Sequence, residues 1–239
     1  MAEPLDVLTE RQSESAVDAA PAGGSLTDRA YRQIEELIVT LRLPPGEVLS
    51  EAALMNQLGI GRTPIREALQ RLAREGLVVI MPRRGILVSE INVRSQLELL
   101  RVRREVERLM ARLAARRATP EERQAFARLA AAMHESADQD DDVAFMRQDR
   151  QLNTAISQVC RNEFAMKTMG LMHGLSRRFW YQHYREVLDL PLCSRLHAAV
   201  AEAIARADEA AAAAASDALM DYIETFTRAT LDADRRAAG

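Results

Sequence analysis

The sequence predicts a mainly α-helical protein in two units, a small one of three helices plus a β-hairpin and a larger one built of helices alone. Three observations carry this. Only 4% of the residues are aromatic, while alanine, leucine and arginine are plentiful. Apolar residues recur at spacings of three and four over most of the 239 residues, which is the period of a helix with one buried face. From about residue 92 onward no β-type run interrupts that pattern. A chain that is 48% hydrophobic and 28% charged has globular composition.

Residues 1–25 carry one arginine against five acids and no apolar period, and read as a disordered tail ending in Pro21-Ala22-Gly23-Gly24-Ser25. The first helix is expected over 28–41, with Thr27 as its N-cap and Tyr31, Ile34, Leu37, Ile38 and Leu41 on one face. Pro44-Pro45-Gly46 stops it. Ser50 begins a short second helix with Ala53, Leu54 and Leu58 on its apolar side, and Gly59-Ile60-Gly61 makes a tight connection. Pro64 stands in the first turn of a third helix, where a missing N–H does no harm, and Ile65, Ala68, Leu69 and Leu72 form its buried stripe up to Gly76. The runs 77–80 and 86–88 flank Pro82-Arg83-Arg84-Gly85 and read as a hairpin with an arginine tip. The larger unit, 92–235, opens with a helix over 92–118 carrying Leu99, Val102, Val106, Leu109 and Leu113. Further helices are expected near 120–136, 141–159, 162–188, 193–209 and 211–234, six in all.

Two short helices joined by a glycine-containing turn and followed by a hairpin describe a winged helix-turn-helix over 26–91. The third helix is its reader. Arg62, Thr63 and Arg66 lie in the first turns, with the two arginines four apart and so on one side. A guanidinium binds the O6 and N7 edge of guanine with two prongs, and Arg83, Arg84 and Gly85 form a second cationic point that can follow a groove or the backbone. The whole chain has net charge −3, but residues 62–84 hold six arginines against two glutamates, the local cationic footprint of a nucleic-acid binder.

The strings Leu43-Pro44-Pro45-Gly46-Glu47, Leu49-Ser50-Glu51, Gly61-Arg62-Thr63-Pro64-Ile65-Arg66-Glu67-Ala68-Leu69, Glu75-Gly76-Leu77 and Pro82-Arg83-Arg84-Gly85 resemble the GntR family of bacterial transcription regulators. The helical remainder resembles the FadR-type effector domain, FCD. The resemblance covers roughly residues 26–235. It implies a homodimer on a palindromic double-stranded operator, usually a repressor released by a small organic or sugar acid. It also implies DNA contacts at Arg62, Thr63 and Arg66 and wing contacts at Arg84 and Gly85.

A second set of polar residues falls on apolar helix faces. Asp149 and Asn153 lie within the stripe Phe145, Met146, Leu152, Ile156 and Val159. His197 follows Cys193 by four, Tyr222 lies between Leu219 and Phe226, and Arg103 borders the first long stripe. Unpartnered polar groups are expensive to bury, so the set points to a shared effector cavity. His173, Arg177, Trp180 and Tyr184 share one helix face and add either cavity walls, a dimer surface or a solvated side. Many FCD domains hold a divalent metal through Asp, a His four residues later and two further His. Asp149 and His197 match the first and third of these positions, while Asn153 and Tyr222 stand where histidines would be. An amide oxygen and a neutral phenol are poor ligands for Zn²⁺ or Ni²⁺. The expectation is therefore a metal-free cavity in which Asn153, His197 and Tyr222 hydrogen-bond the effector and Arg103, by its match to a family arginine, pairs a carboxylate. No firm cofactor follows, with Zn²⁺ or Ni²⁺ as the family alternative.

Other classes have less support. Asp149 and His197 could form an acid–base pair, but no nucleophile elbow, phosphate loop or complete metal motif accompanies them, so no enzyme is expected. A purely architectural DNA-binding dimer is the other alternative. No apolar run approaches the ~20 residues that cross a bilayer, no signal peptide is evident, and Cys160 and Cys193 read as core thiols rather than a disulfide framework. The expected location is the cytoplasm.

Overall fold

In the computed structural model, residues 24–139, 141–187 and 189–237 are described; most of the tail reading, 1–23, lies outside them. Among the described residues nine helices and three short strands follow in order: α1 Leu26–Val39, β1 Val48–Leu49, α2 Glu51–Leu58, α3 Arg62–Arg74, β2 Val78–Met81, β3 Gly85–Val88, α4 Val93–Arg117, α5 Pro120–Gln139, α6 Asp142–Val159, α7 Glu163–Val187, α8 Leu190–Ala205 and α9 Glu209–Ala237.

α1 starts one cap earlier than the sequence suggests. Ser25, not Thr27, closes a capping box with Asp28, and the Thr27 hydroxyl instead donates to Glu67 of α3 at 2.6 Å. Ser50 caps α2, whose C-cap Gly59 has a φ of +64°, a left-handed turn that lets α3 leave sharply. Ile34, Ile38, Ile65, Leu69 and Leu72 meet in one core with Leu77, Val78 and Val88. The hairpin is real but is not alone. β1 adds to the outer edge of β3, giving the antiparallel order β1-β3-β2 with Leu49 opposite Ile86 and Ile80 opposite Ile86. Two residues are too short to show alternation, which is why this strand escaped the sequence pattern.

In the helical unit α5 lies along α8 and α4 along α9. Their shared core is made largely of alanine, including Ala111, Ala114, Ala115, Ala130, Ala198, Ala201 and Ala212, around Phe126, Met133 and Ile204. Small side chains allow the helix backbones to approach closely. α8 starts three residues before the expected 193, because Pro191 sits in its first turn under the Asp189 cap. The stripe expected to anchor α4 is only partly inward. Leu99, Val106 and Leu113 are half-buried and Val102 and Leu109 remain 51% and 43% exposed, while the buried side is made by Leu100, Met110, Ala111, Ala114 and Ala115, outside the expected stripe. This helix carries two apolar faces, and the period does not say which one meets the bundle.

α7 bridges the units. Its Leu175 packs against the winged-helix core. At Gly174 a Cβ would stand 2.7 Å from Leu77 and 3.3 Å from Glu35, so the absent side chain is what seats α7 there. Next to it Arg178, only 2% exposed, donates to the backbone oxygens of Ser89 and Glu90 and to the Ser89 hydroxyl. The link between the units is thus pinned at the junction 89–92.

Candidate functional site: an arginine-lined cleft and a polar cavity

The N-terminal turns of α3 face solvent. Gly61 caps the helix without a side chain, and Arg62, Thr63 and Arg66 are exposed. Glu51, at the start of α2, sits between the two arginines, 3.4 Å from Arg62 Nε and 3.2 Å from Arg66 Nε, and so holds both on one side. A cleft between α3 and the hairpin is lined by Arg66, Gln70, Arg83, Arg84 and Gly85. The predicted reader and the predicted tip therefore border one groove. The tip is a tight turn in which Arg84 N–H donates to Met81 O, with Pro82 second and Arg83 third at φ +65°. A positive φ at that position is the type II pattern, normally filled by glycine or asparagine.

Arg71 is the exception within the cationic run. Its guanidinium lies 3.6 Å from the Tyr31 ring centroid and pairs with the buried Glu75, which also accepts the Tyr31 hydroxyl hydrogen at 2.7 Å. Burial, then the neighbouring Glu35 and Glu75, hold the Tyr31 phenol far above its usual range. Arg71 thus tightens the α1–α3 contact, and spacing alone gave no sign of it.

The second site is a pair of adjoining cavities, about 170 and 470 Å³, that share Glu107, Asn153, His173 and His197 as lining residues. Arg103, Asp149, Asn153, His197 and Tyr222 all border the smaller one, as do His173, Arg177 and Trp180. Tyr184 stacks on Trp180 at 4.6 Å between centroids. The surprise is α1: Glu36, Val39 and Thr40 complete the wall, so the cavity touches the winged unit.

Most of these polar groups are already engaged. His197 places Nε2 3.1 Å from Asp149 and Nδ1 2.8 Å from the Cys193 carbonyl oxygen. Both neighbours accept, so the ring carries two N–H groups and a positive charge. Burial opposes that charge, but the Cys193 side chain and the hydrogen bond to Asp149 outweigh it and hold the pKa well above the histidine norm. Burial likewise opposes ionisation of Asp149, and His197 outweighs it and keeps that carboxyl below its ordinary value. Asn153 donates to Asp149 at 2.8 Å. His173 behaves oppositely, because burial and then Arg177 depress it to about 4, leaving a neutral ring at neutral pH.

Two expected contacts look different in atomic detail. The Tyr222 hydroxyl donates to Asp189 O at 2.9 Å and accepts from Asp189 N–H at 3.0 Å, so it fastens the start of α8 rather than standing free for a ligand. Arg103 meets a carboxylate of its own helix, with Nε 2.8 Å from Glu107. The donors also suit a divalent metal badly. A doubly protonated imidazole has no lone pair to give, the phenol is held by backbone, and the amide presents its N–H₂ to Asp149.

A model of the gntR family of bacterial regulatory proteins matches residues 26–88, and a model of the FCD domain matches 98–222. A Streptomyces ambofaciens HTH-type transcriptional regulator from an unstable DNA locus is 44% identical over 62 residues, covering 26% of each chain. The Escherichia coli HTH-type transcriptional repressor RspR is 33% identical over 90 residues, covering 38% of this chain and 40% of RspR. The chain thus matches about a quarter to two-fifths of the length of these curated relatives. Among solved structures, E. coli McbR/YncC superposes with a TM-score of 0.75 at 20% identity, over 87% of this chain and all of that one. That likeness establishes a shared fold. No helix among the described residues is long and apolar enough to cross a membrane.

Proposed function

The chain belongs to the gntR family of bacterial regulatory proteins, DNA-binding transcriptional regulators, and carries an FCD domain; on that premise we propose that it is a cytoplasmic homodimeric repressor of a palindromic operator, released by a small carboxylate. The observation that carries the reading is the groove in which Arg66 of α3 faces Arg83 and Arg84 of the hairpin, with Arg62 held alongside by Glu51. A helix start with two forked donors suits base edges in a major groove, and a hairpin tip with two more suits the flanking phosphates. Thr63 and Gly85 complete the contact, one by its hydroxyl and the other by letting the backbone come close.

The cavity is the receiving end. Its smaller compartment suits a ligand of a few carbons, with Phe145 and Trp180 for the apolar part and the side chains of Asn153 and Arg103 for polar contacts. The His197–Asp149 pair acts as a rigid floor that orients Asn153 through its hydrogen bond. No metal takes part in this reading, since the donors do not make a tetrahedral or octahedral set. Ligand binding moves the winged unit relative to the helical one at the pinned junction 89–92, changing the spacing of two heads on two half-sites. Exposed Val102 and Leu109 on α4 and Phe164 and Leu171 on α7 are the surface assigned to the second copy.

The test is a gel shift on DNA from upstream of the chain's own gene. Arg66→Ala should lose about 1–3 kcal/mol of binding and relax base preference, while Arg74→Ala, off the groove, should bind as wild type. Equal affinity for wild type and Arg66→Ala removes the reading.

A further inference from the structure

Among the described cavity residues, the cations differ in how fully they are matched. Arg103 has Glu107 to itself, and His197 has Asp149 and a carbonyl. Arg150 and Arg177 instead converge on one oxygen of Glu36, at 3.4 and 3.1 Å, with Glu35 no nearer than 3.9 Å to Arg177. Both arginines and Glu36 line the cavity. Two guanidiniums thus share one oxygen of a half-exposed carboxylate, with the second carboxylate at the longer distance. The carboxylate that now sits there belongs to α1 of the winged unit.

We infer that Arg150 and Arg177 form an anion subsite at the boundary of the two units, that Glu36 fills it in the absence of ligand, and that an effector carboxylate takes the place of Glu36. The inference rests on the carboxylate-effector reading above and adds where the carboxylate sits and how its arrival reaches the DNA-reading heads. Exchange of one carboxylate for another leaves the charge balance of the wall unchanged, so the subsite itself poses little barrier. The consequence falls on α1. With Glu36 released, α1 keeps Leu175 and Gly174 of α7 as neighbours and the longer Glu35–Arg177 pair, but loses its ionic tie to α6 and the closer of its two to α7. A ligand without a carboxylate could fill the apolar end of the cavity and leave this tie intact. The subsite therefore selects for acids and converts their binding into release.

Trp180 is the single tryptophan and borders the cavity, so its fluorescence reports occupancy. Wild type, Glu36→Gln and Arg177→Gln full-length proteins would each be titrated with succinate and with benzoate, against sodium chloride at matched ionic strength. Removing the internal competitor should tighten acid binding by Glu36→Gln about fivefold, the worth of a partly exposed ion pair, and Arg177→Gln should bind at least fivefold more weakly than wild type. On operator DNA, Glu36→Gln should be released at a correspondingly lower acid concentration. Equal affinity of wild type and Glu36→Gln for an acid that does bind overturns the exchange while leaving the cavity reading standing. If neither acid changes Trp180 emission beyond the chloride control in any of the three proteins, both are overturned.

Discussion

At the scale of single residues, Arg83 shows a conflict between folding and binding. Its φ of +65° costs roughly 1 kcal/mol that glycine would not incur. Arg83→Gly should therefore raise stability in urea by up to about 1 kcal/mol and at the same time weaken operator binding; a loss of stability would mean the turn is not strained. The two cavity histidines give opposite pH signatures. His197 is raised in the fold, so its stabilisation is complete below about pH 6.5 and is lost as pH climbs through the raised value. Asp149 is lowered, so its share is present above pH 3.8 and is lost only in stronger acid. His173 is depressed to about 4, so the unfolded chain binds its proton first and stability falls between pH 6.5 and 4, at most about 1.4 kcal/mol per pH unit. Urea melts across that window should be flatter for His173→Gln than for wild type. Zinc offers a further check. Asn153→His with Tyr222→His should gain Zn²⁺ on dialysis, read by elemental analysis, where the native chain retains none. The positions of these residues were legible from helical spacing. Their partners were not, since spacing cannot tell that the Tyr222 hydroxyl turns back onto Asp189 or that Arg103 folds onto Glu107.

At the scale of elements, the type and order of the helices followed from apolar period, caps and proline positions. What the period left open was direction. α4 has apolar residues on two sides, and only packing reveals that the alanine side faces the bundle. β1 was invisible because a strand of two residues has no pattern, yet it pairs with β3, and just before it Val88 N–H donates to Glu47 O, which steadies the hairpin root. The seating of α7 is the element most open to test. In an isolated helix Gly174→Ala would gain about 1 kcal/mol from propensity. Here the new methyl meets Leu77, which is fully buried, and overpacking of this kind costs about 1–3 kcal/mol. The variant should come out less stable than wild type by about 1 kcal/mol in chemical denaturation, and an increase would show that Leu77 yields freely.

At the scale of the whole molecule, the two units and their division near residue 90 could be read from the sequence, because a hairpin gives way to uninterrupted helical period there. The contact between the units could not. Glu36, Arg150 and Arg177 are ordinary surface charges in their own helices and become a set only when α7 crosses α1. Arg178 is the clearest instance: on a helical wheel it is one more arginine, and in the fold it is buried against the Ser89–Glu90 backbone, with burial lowering its pKa to about 10. Arg178→Met keeps the bulk and removes the three donated bonds. It should split the thermal unfolding of wild type into two calorimetric transitions, and a single unshifted transition would show that apolar packing alone joins the units.

The alanine seam of the bundle has one more consequence. A methyl group has no rotamers to redistribute, so the contacts of α4, α5, α8 and α9 cannot absorb a ligand's bulk by side-chain rearrangement. That half of the molecule is an anvil. Amide hydrogens along the seam should be the last to exchange with heavy water whether or not the cavity is filled, and whatever yields to an incoming acid must be found in the long side chains of α1, α6 and α7.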